Sequence, residues 1–198
     1  MIGVVDSKIC NIFSLTNMLD HIGAAYKIMT KAEDFADIDK IILPGVGSFP
    51  KAMENLKNFG MIEPIHNAAA KGTPILGICL GMQLLFEQSE EFGICNGLGL
   101  IPGRVVKIQN AKILPHMGWD NLNIINDKTL LQNVVQNADV YFVHSYRAET
   151  EPKYILATSE YGDIIPAVVG SGNIYGTQFH PEKSQKWGEI ILKNFVNL

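Results

Sequence analysis

The stretch GICLG at 77–81 sets a thiol, Cys79, between two glycines, where the apolar run Pro74–Ile78 gives way to a helical pattern. A strand that turns abruptly into a helix can hold its junction residue in a strained conformation and project the side chain above the sheet, while small neighbours let the backbones pack closely. The first N–H groups of the helix and their dipole favour a thiolate over a thiol, and they can stabilise an oxyanion during acyl transfer. Cys79 is therefore a candidate nucleophile. The competing reading is a small buried apolar side chain, with a glycine pair that serves only tight strand–helix packing.

A nucleophile of this kind needs a base. The chain has five histidines. His21 and His66 lie in helical stretches among ordinary polar residues and read as surface or packing groups. His144, in YFVHSYR, closes an apolar strand and is a competitor. His180, in TQFHPEKS, has the fuller local chemistry: it follows the strand-like run Ile174–Phe179, Pro181 stops that strand, and Glu182 is placed to reach the imidazole and set its tautomer. If the strands ending at Cys79 and His180 run parallel, the two side chains, about 100 residues apart, emerge at one edge of the sheet.

The elements that must position them alternate in the first half. Ile2–Val5, Ala25–Met29, Lys40–Leu43 and Pro74–Ile78 read as strands. Between them, Ile12, Leu15, Leu19 and Ile22 recur at helical spacing with Asn11 as N-cap and Gly23 as stop; Ser48 caps a helix carrying Met53 and Leu56; and Ile62–Ala70 forms another, ending at Lys71-Gly72. In the second half Val105–Ile108, Val140–Val143, Tyr154–Thr158, Ala167–Val169 and Ile174–Phe179 are strand-like. EYGDIIP and VGSGNIYG suggest hairpins, and Ser184 opens a last amphipathic helix with Trp187, Ile190, Ile191 and Phe195 on one side. The expected fold is α/β: one domain over 1–198, with a single mixed, mostly parallel sheet flanked by helices and added antiparallel strands.

The bulk numbers fit. A length of 198 residues, 47% of them hydrophobic, supports one compact core. A net charge of −4 with no Lys/Arg-rich run argues against a nucleic-acid partner. Apolar runs break within about ten residues, short of the roughly 20 that a membrane helix needs, so no membrane association is expected. Met1-Ile2-Gly3-Val4-Val5-Asp6 reads as a first strand and not as a signal peptide. Cys10, Cys79 and Cys95 are odd in number and irregularly spaced, so no disulfide framework, metal site or other cofactor is expected. The reading is a cytoplasmic protein with reduced thiols.

LPGVGSF at 43–49, GICLGMQLLFEQSEE at 77–91, LPHMGWD at 114–120, YFVHSYR at 141–147 and QFHPEKS at 178–184 occur in one order over nearly the whole chain. Together they resemble the class I, triad-type glutamine amidotransferases, whose fold is flavodoxin-like. PGVG, PHMGW and HPEKS narrow the resemblance to members that act as glutaminase subunits of imidazole glycerol phosphate synthase. The resemblance implies that Cys79 attacks the glutamine amide, His180 shuttles protons and Glu182 orients His180. It assigns the oxyanion strand to Pro44 and to Gly45, Val46 and Gly47, with Leu80 following the nucleophile. Gln83 faces the same pocket, Glu91 receives the amino group of glutamine, and Ser145 and Tyr146 hold its carboxylate end. His116, Met117, Gly118 and Trp119, with Lys183, form the docking face for a (β/α)₈-barrel cyclase subunit. For Trp119 the alternative is an ordinary core aromatic. Released ammonia then passes to that partner, which makes imidazole glycerol phosphate and an aminoimidazole carboxamide ribotide.

Two departures stand out. Asp6-Ser7-Lys8-Ile9-Cys10-Asn11 replaces a glycine-containing Asp-Tyr-Gly-x-Gly-Asn pattern, and Asp120 stands where the family has Asn. Both leave open a related acceptor: a paralogous glutaminase subunit that feeds a surface-sugar amidotransferase. A different cysteine hydrolase, or a silent binding subunit, accounts for fewer of these segments.

Overall fold

The computed structural model describes residues 1–8, 11–126 and 129–198. Ile9 and Cys10, and with them part of the altered Asp6–Asn11 motif and one of the three thiols, lie outside the described residues.

The elements run β1 (Ile2–Val5), α1 (Ile12–His21), β2 (Tyr26–Met29), β3 (Lys40–Gly45), α2 (Phe49–Asn58), α3 (Ile62–Ala70), β4 (Ile75–Cys79) and α4 (Leu80–Leu84). The second half follows with β5 (Phe86–Ser89), β6 (Cys95–Asn96), β7 (Ile101–Lys107), β8 (His116–Asn121), β9 (Asn123–Ile124), β10 (Asp139–His144) and β11 (Tyr146–Glu149). Last come β12 (Ile155–Tyr161), β13 (Asp163–Ser171), β14 (Ile174–Thr177) and α5 (Gln185–Val196).

Among the described residues, eight strands make one mixed sheet in the order β2-β1-β3-β4-β14-β13-β12-β9. The pairings from β2 to β14 are parallel, and those from β14 to β9 are antiparallel. Central strands such as IGVV and ILGIC are buried on both faces, as a sheet with helices on either side requires. Val5, Ile41, Leu43 and Ile75 pack against Leu56 of α2 and Ile65 of α3. Val4, Ile42, Leu76 and Ile78 pack on the other side with Leu15 and Leu19 of α1 and with Ile191, Leu192 and Phe195 of α5. Each such side chain removed from water stabilises the fold by about 1.5–3 kcal/mol before ordering costs.

β3, β4 and β14 end together. Gly45 lies opposite Cys79, and Thr177 opposite Ile78. Both hairpins read from the sequence are present, β12–β13 turning at Gly162 and β13–β14 at Gly172, each with a positive φ.

Several expectations change. Val105–Ile108 and Val140–Val143 do not join the large sheet: β7 belongs to a four-stranded sheet in the order β11-β7-β5-β6, and β10 forms a two-stranded sheet with β8. The helix after Cys79 stops at Leu84, because the carbonyls of Leu84, Leu85 and Phe86 accept bonds from Leu98, Leu100 and Gly99 instead of from the next turn. The strand expected to reach Phe179 ends at Thr177. There the Gln178 N–H turns to Ala167, and the His180 N–H to Tyr141. Asn11, Ser48 and Ser184 precede their helices but make no side-chain cap bond.

Candidate active site

Cys79 is the last residue of β4 and has φ 54° and ψ −111°. A left-handed backbone at a non-glycine residue costs about 1–3 kcal/mol and persists only where its surroundings enforce it. The surroundings here are two glycines. A Cβ on Gly81 would collide with the Leu43 carbonyl, and one on Gly77 would lie 2.6 Å from the Gly81 oxygen. Without side chains at 77 and 81, α4 drops onto the end of β3 and β4, and the kink at Cys79 is locked. The sulfur lies 3.8 Å from the Val143 carbonyl oxygen and 3.9 Å from the side-chain nitrogen of Gln178.

His180 faces the same cavity. Its Nδ1 is 2.7 Å from Glu182 Oε1, within a tight turn over Pro181–Lys183. The Ser184 hydroxyl fixes this turn from behind, donating to the His180 carbonyl at 2.7 Å while accepting the Tyr141 N–H at 3.0 Å. Ser184 spends its side chain here, which is why it does not cap α5. Burial disfavours a charged imidazole, yet Cys79 and Glu182 outweigh it and lift His180 from 6.5 to about 10. With Nδ1–H given to Glu182, Nε2 is the nitrogen left for chemistry, and it is buried with no hydrogen-bond partner among the described residues.

The cavity has a volume of about 360 Å³. Val46, Gly47, Leu80, Gln83, Glu91, Ser145 and Tyr146 line it together with Cys79 and His180. Gly45 does not; it lies beneath, beside Cys79 in the sheet. Gly47 has φ +90°, which a residue with a side chain adopts only under strain. Glu91 reaches back to accept the Phe49 N–H at 2.7 Å, so a distant carboxylate does the capping expected of Ser48. Gln83 donates to the Tyr146 carbonyl and to Gln178, each at 3.0 Å.

The model of the family described as glutamine amidotransferase class-I matches residues 3–198. The chain belongs to the class-I glutamine amidotransferases. Among curated relatives, this amidotransferase is 46% identical over 195 residues to the imidazole glycerol phosphate synthase subunit HisH of Bacillus cereus, covering 98% of this chain and 93% of that protein. It is 47% identical over 202 residues to the HisH subunit of Bacillus licheniformis, covering 98% and 95%. Solved structures share the fold at low identity. A crystal structure of a glutamine amidotransferase superposes with TM-score 0.78 at 18% identity, covering 99% of this chain and 97% of that one. The PurLQS structure from Thermotoga maritima gives 0.79 at 21%, with the same coverage.

Of the other histidines in this amidotransferase, His116 departs from the sequence expectation. His144 is the competitor base, and it too lines the cavity. Burial pushes it down to about 3, against a bond from its Nδ1–H to the Tyr146 carbonyl at 2.8 Å. It is neutral, so its Nε2 accepts from Nδ1 of His116 at 3.1 Å. His116, expected on the docking face, is only 2% exposed. It begins β8 with its side chain inward, stacked on Phe142 and Tyr161 with centroids 4.6 and 4.0 Å away. The alternation of a strand explains this: the segment is β8, so His116 points in where Met117 points out. Trp119 is 48% and Met117 61% exposed. Trp119 lies edge-on to Tyr141 at 5.9 Å, and Lys183 stands 5.8 Å over the same ring. No group of three or more His, Cys, Asp or Glu among the described residues is placed to hold a metal.

Sequence reasoning missed Gln178, Val143 and Pro115, all at the cavity or against the sulfur. A signal existed for Gln178, a long polar side chain beside the apolar Phe179 and two places before His180.

Proposed function

We infer that this amidotransferase is the glutaminase subunit of an imidazole glycerol phosphate synthase, a single unit over 1–198 that releases ammonia from glutamine for a (β/α)₈-barrel cyclase subunit in histidine biosynthesis. One observation carries the chemistry: a strained Cys79 and a Glu182-bound His180, drawn from distant parts of the chain, line the same cavity. The HisH names of relatives at 46–47% identity support the acceptor.

The Cys79 sulfur attacks the amide carbon of glutamine. Leu80, first residue of α4 and so without an intrahelical acceptor for its N–H, donates to the developing oxyanion together with a backbone N–H of the Val46–Gly47 segment. His180, protonated at neutral pH, gives its Nε2 proton to the departing nitrogen. The C–N bond breaks, ammonia leaves, and a γ-glutamyl thioester remains. His180, now neutral, takes a proton from water as it attacks the thioester. The S–C bond breaks, glutamate leaves, and the imidazolium is restored. Glu182 holds the ring and its charge throughout. Glu91 receives the substrate ammonium, Ser145 and Tyr146 hold its carboxylate end, and Gln83 keeps the Tyr146 strand in place.

The docking face comprises Met117, Gly118, Trp119 and Lys183, with His116 supporting it from within. Ammonia that escapes to neutral water becomes unreactive ammonium, so transfer runs directly into the partner. The location is cytoplasmic, consistent with reduced thiols; no helix among the described residues is long and apolar enough to cross a membrane.

The test is glutamine hydrolysis by the purified chain, alone and with a barrel-type cyclase and its substrate. The chain alone turns over slowly, because the PGVG strand leaves the oxyanion site unmade until the partner is engaged. Full-rate turnover without the partner contradicts this. Co-purification of a sugar amidotransferase, with no binding to the cyclase, overturns the acceptor.

A further inference from the structure

We propose that Gln178 is a catalytic residue: its side-chain N–H donates a hydrogen bond to the Cys79 sulfur and stabilises the thiolate that attacks glutamine. The proposal rests on Cys79 as the nucleophile.

Gln178 is fully buried just beyond the end of β14. An amide can be turned either way, and only its partners decide which end faces the sulfur. Here the decision starts at the Tyr146 carbonyl, which can only accept. Gln83 must present its nitrogen to that oxygen, and the same nitrogen meets the second amide 3.0 Å away. That second contact therefore falls on the oxygen of Gln178. The nitrogen of Gln178 is left facing Cys79, 3.9 Å from the sulfur. His144, donating to the same carbonyl at 2.8 Å, holds the anchor from the other side.

The sulfur consequently sits between a donor and an acceptor. The Val143 carbonyl, 3.8 Å away, accepts from the sulfur only while the thiol keeps its proton. The Gln178 amide remains a good partner when the proton is gone, and a charged acceptor draws a stronger bond than a neutral one. Gln178 and protonated His180 then favour the anion together, against the Val143 oxygen. A merely space-filling residue here would be apolar, since burying an amide costs free energy unless both ends are paired.

The test is alkylation of Cys79 by iodoacetamide in the full-length chain across pH 5–10, read by peptide mass spectrometry, for wild type, Gln178→Met and Gln178→Glu. Gln178→Met keeps the length and removes the donor. It slows alkylation at pH 7 roughly 3–10-fold and moves the rate–pH curve to higher pH. Gln178→Glu keeps the acceptor for Gln83 and sets an oxygen against the sulfur, so its curve moves at least as far even if the Met variant does not fold. A curve that overlays wild type for whichever variant folds overturns the proposal, because a purely structural Gln178 leaves the pH dependence in place. A wild-type Cys79 no more reactive at any pH than Cys95 overturns the nucleophile itself.

Discussion

His180 Nδ1 lies 2.7 Å from Glu182 Oε1, although only Pro181 separates the two residues. Adjacent side chains rarely meet head-on; here the turn over Pro181–Lys183, pinned by the Ser184 hydroxyl, folds one onto the other. The pair is thus preformed by local geometry and needs no closure to assemble it.

Replacing Glu182 by Gln leaves this geometry largely intact but removes the charge that holds the imidazolium. We expect kcat/KM for glutamine to fall by roughly 100-fold or more, and the His180 titration, followed by NMR, to move downward. An unchanged titration would disconnect the two residues.

The same shift has a consequence for stability. His180 binds its proton more tightly folded than unfolded, because Cys79 and Glu182 overcome the burial that opposes it. That stabilisation is fully present below pH 6.5 and disappears as pH rises through about 10. Urea unfolding should show the wild type losing stability across this window. Cys79→Ala, which lacks one of the two partners, should show a shallower loss.

Gly81→Ala tests the packing that locks the Cys79 turn. The added methyl meets the Leu43 carbonyl, a backbone atom that cannot step aside. A destabilisation of about 2–4 kcal/mol in urea is expected.

The sequence made the parallel half of the sheet readable because its strands are short apolar runs bounded by helical periodicity, as in β1 and β4. It made the meeting of Cys79 and His180 readable because Cys79 closes β4, His180 follows shortly after the end of β14, and these parallel neighbours end at one edge. What was not readable is set by long-range pairing. Leu84–Phe86 continue the apolar stretch that follows Cys79, yet their carbonyls are taken by residues 98–100. The N-terminus of α2 is capped by Glu91, far along the chain. The inward aim of His116 follows from the pairing of β8 with β10, where His116 lies opposite His144. No local pattern records any of these.

His116 and Trp119 should therefore separate two kinds of damage. His116→Ala strips a buried stack and leaves His144 Nε2 without its donor, so it lowers stability by about 2–4 kcal/mol. Trp119→Ala removes a half-exposed ring and should weaken cyclase binding roughly 30-fold at little cost in stability, measured by titration calorimetry and urea unfolding.

The most direct test is the Cys79→Ala variant, assayed in complex with the cyclase for synthesis from glutamine and, separately, from ammonium salts. The expected result is loss of glutamine-dependent synthesis with ammonium-dependent synthesis preserved. Undiminished use of glutamine by that variant would contradict the assignment of Cys79, and with it the mechanism built on it.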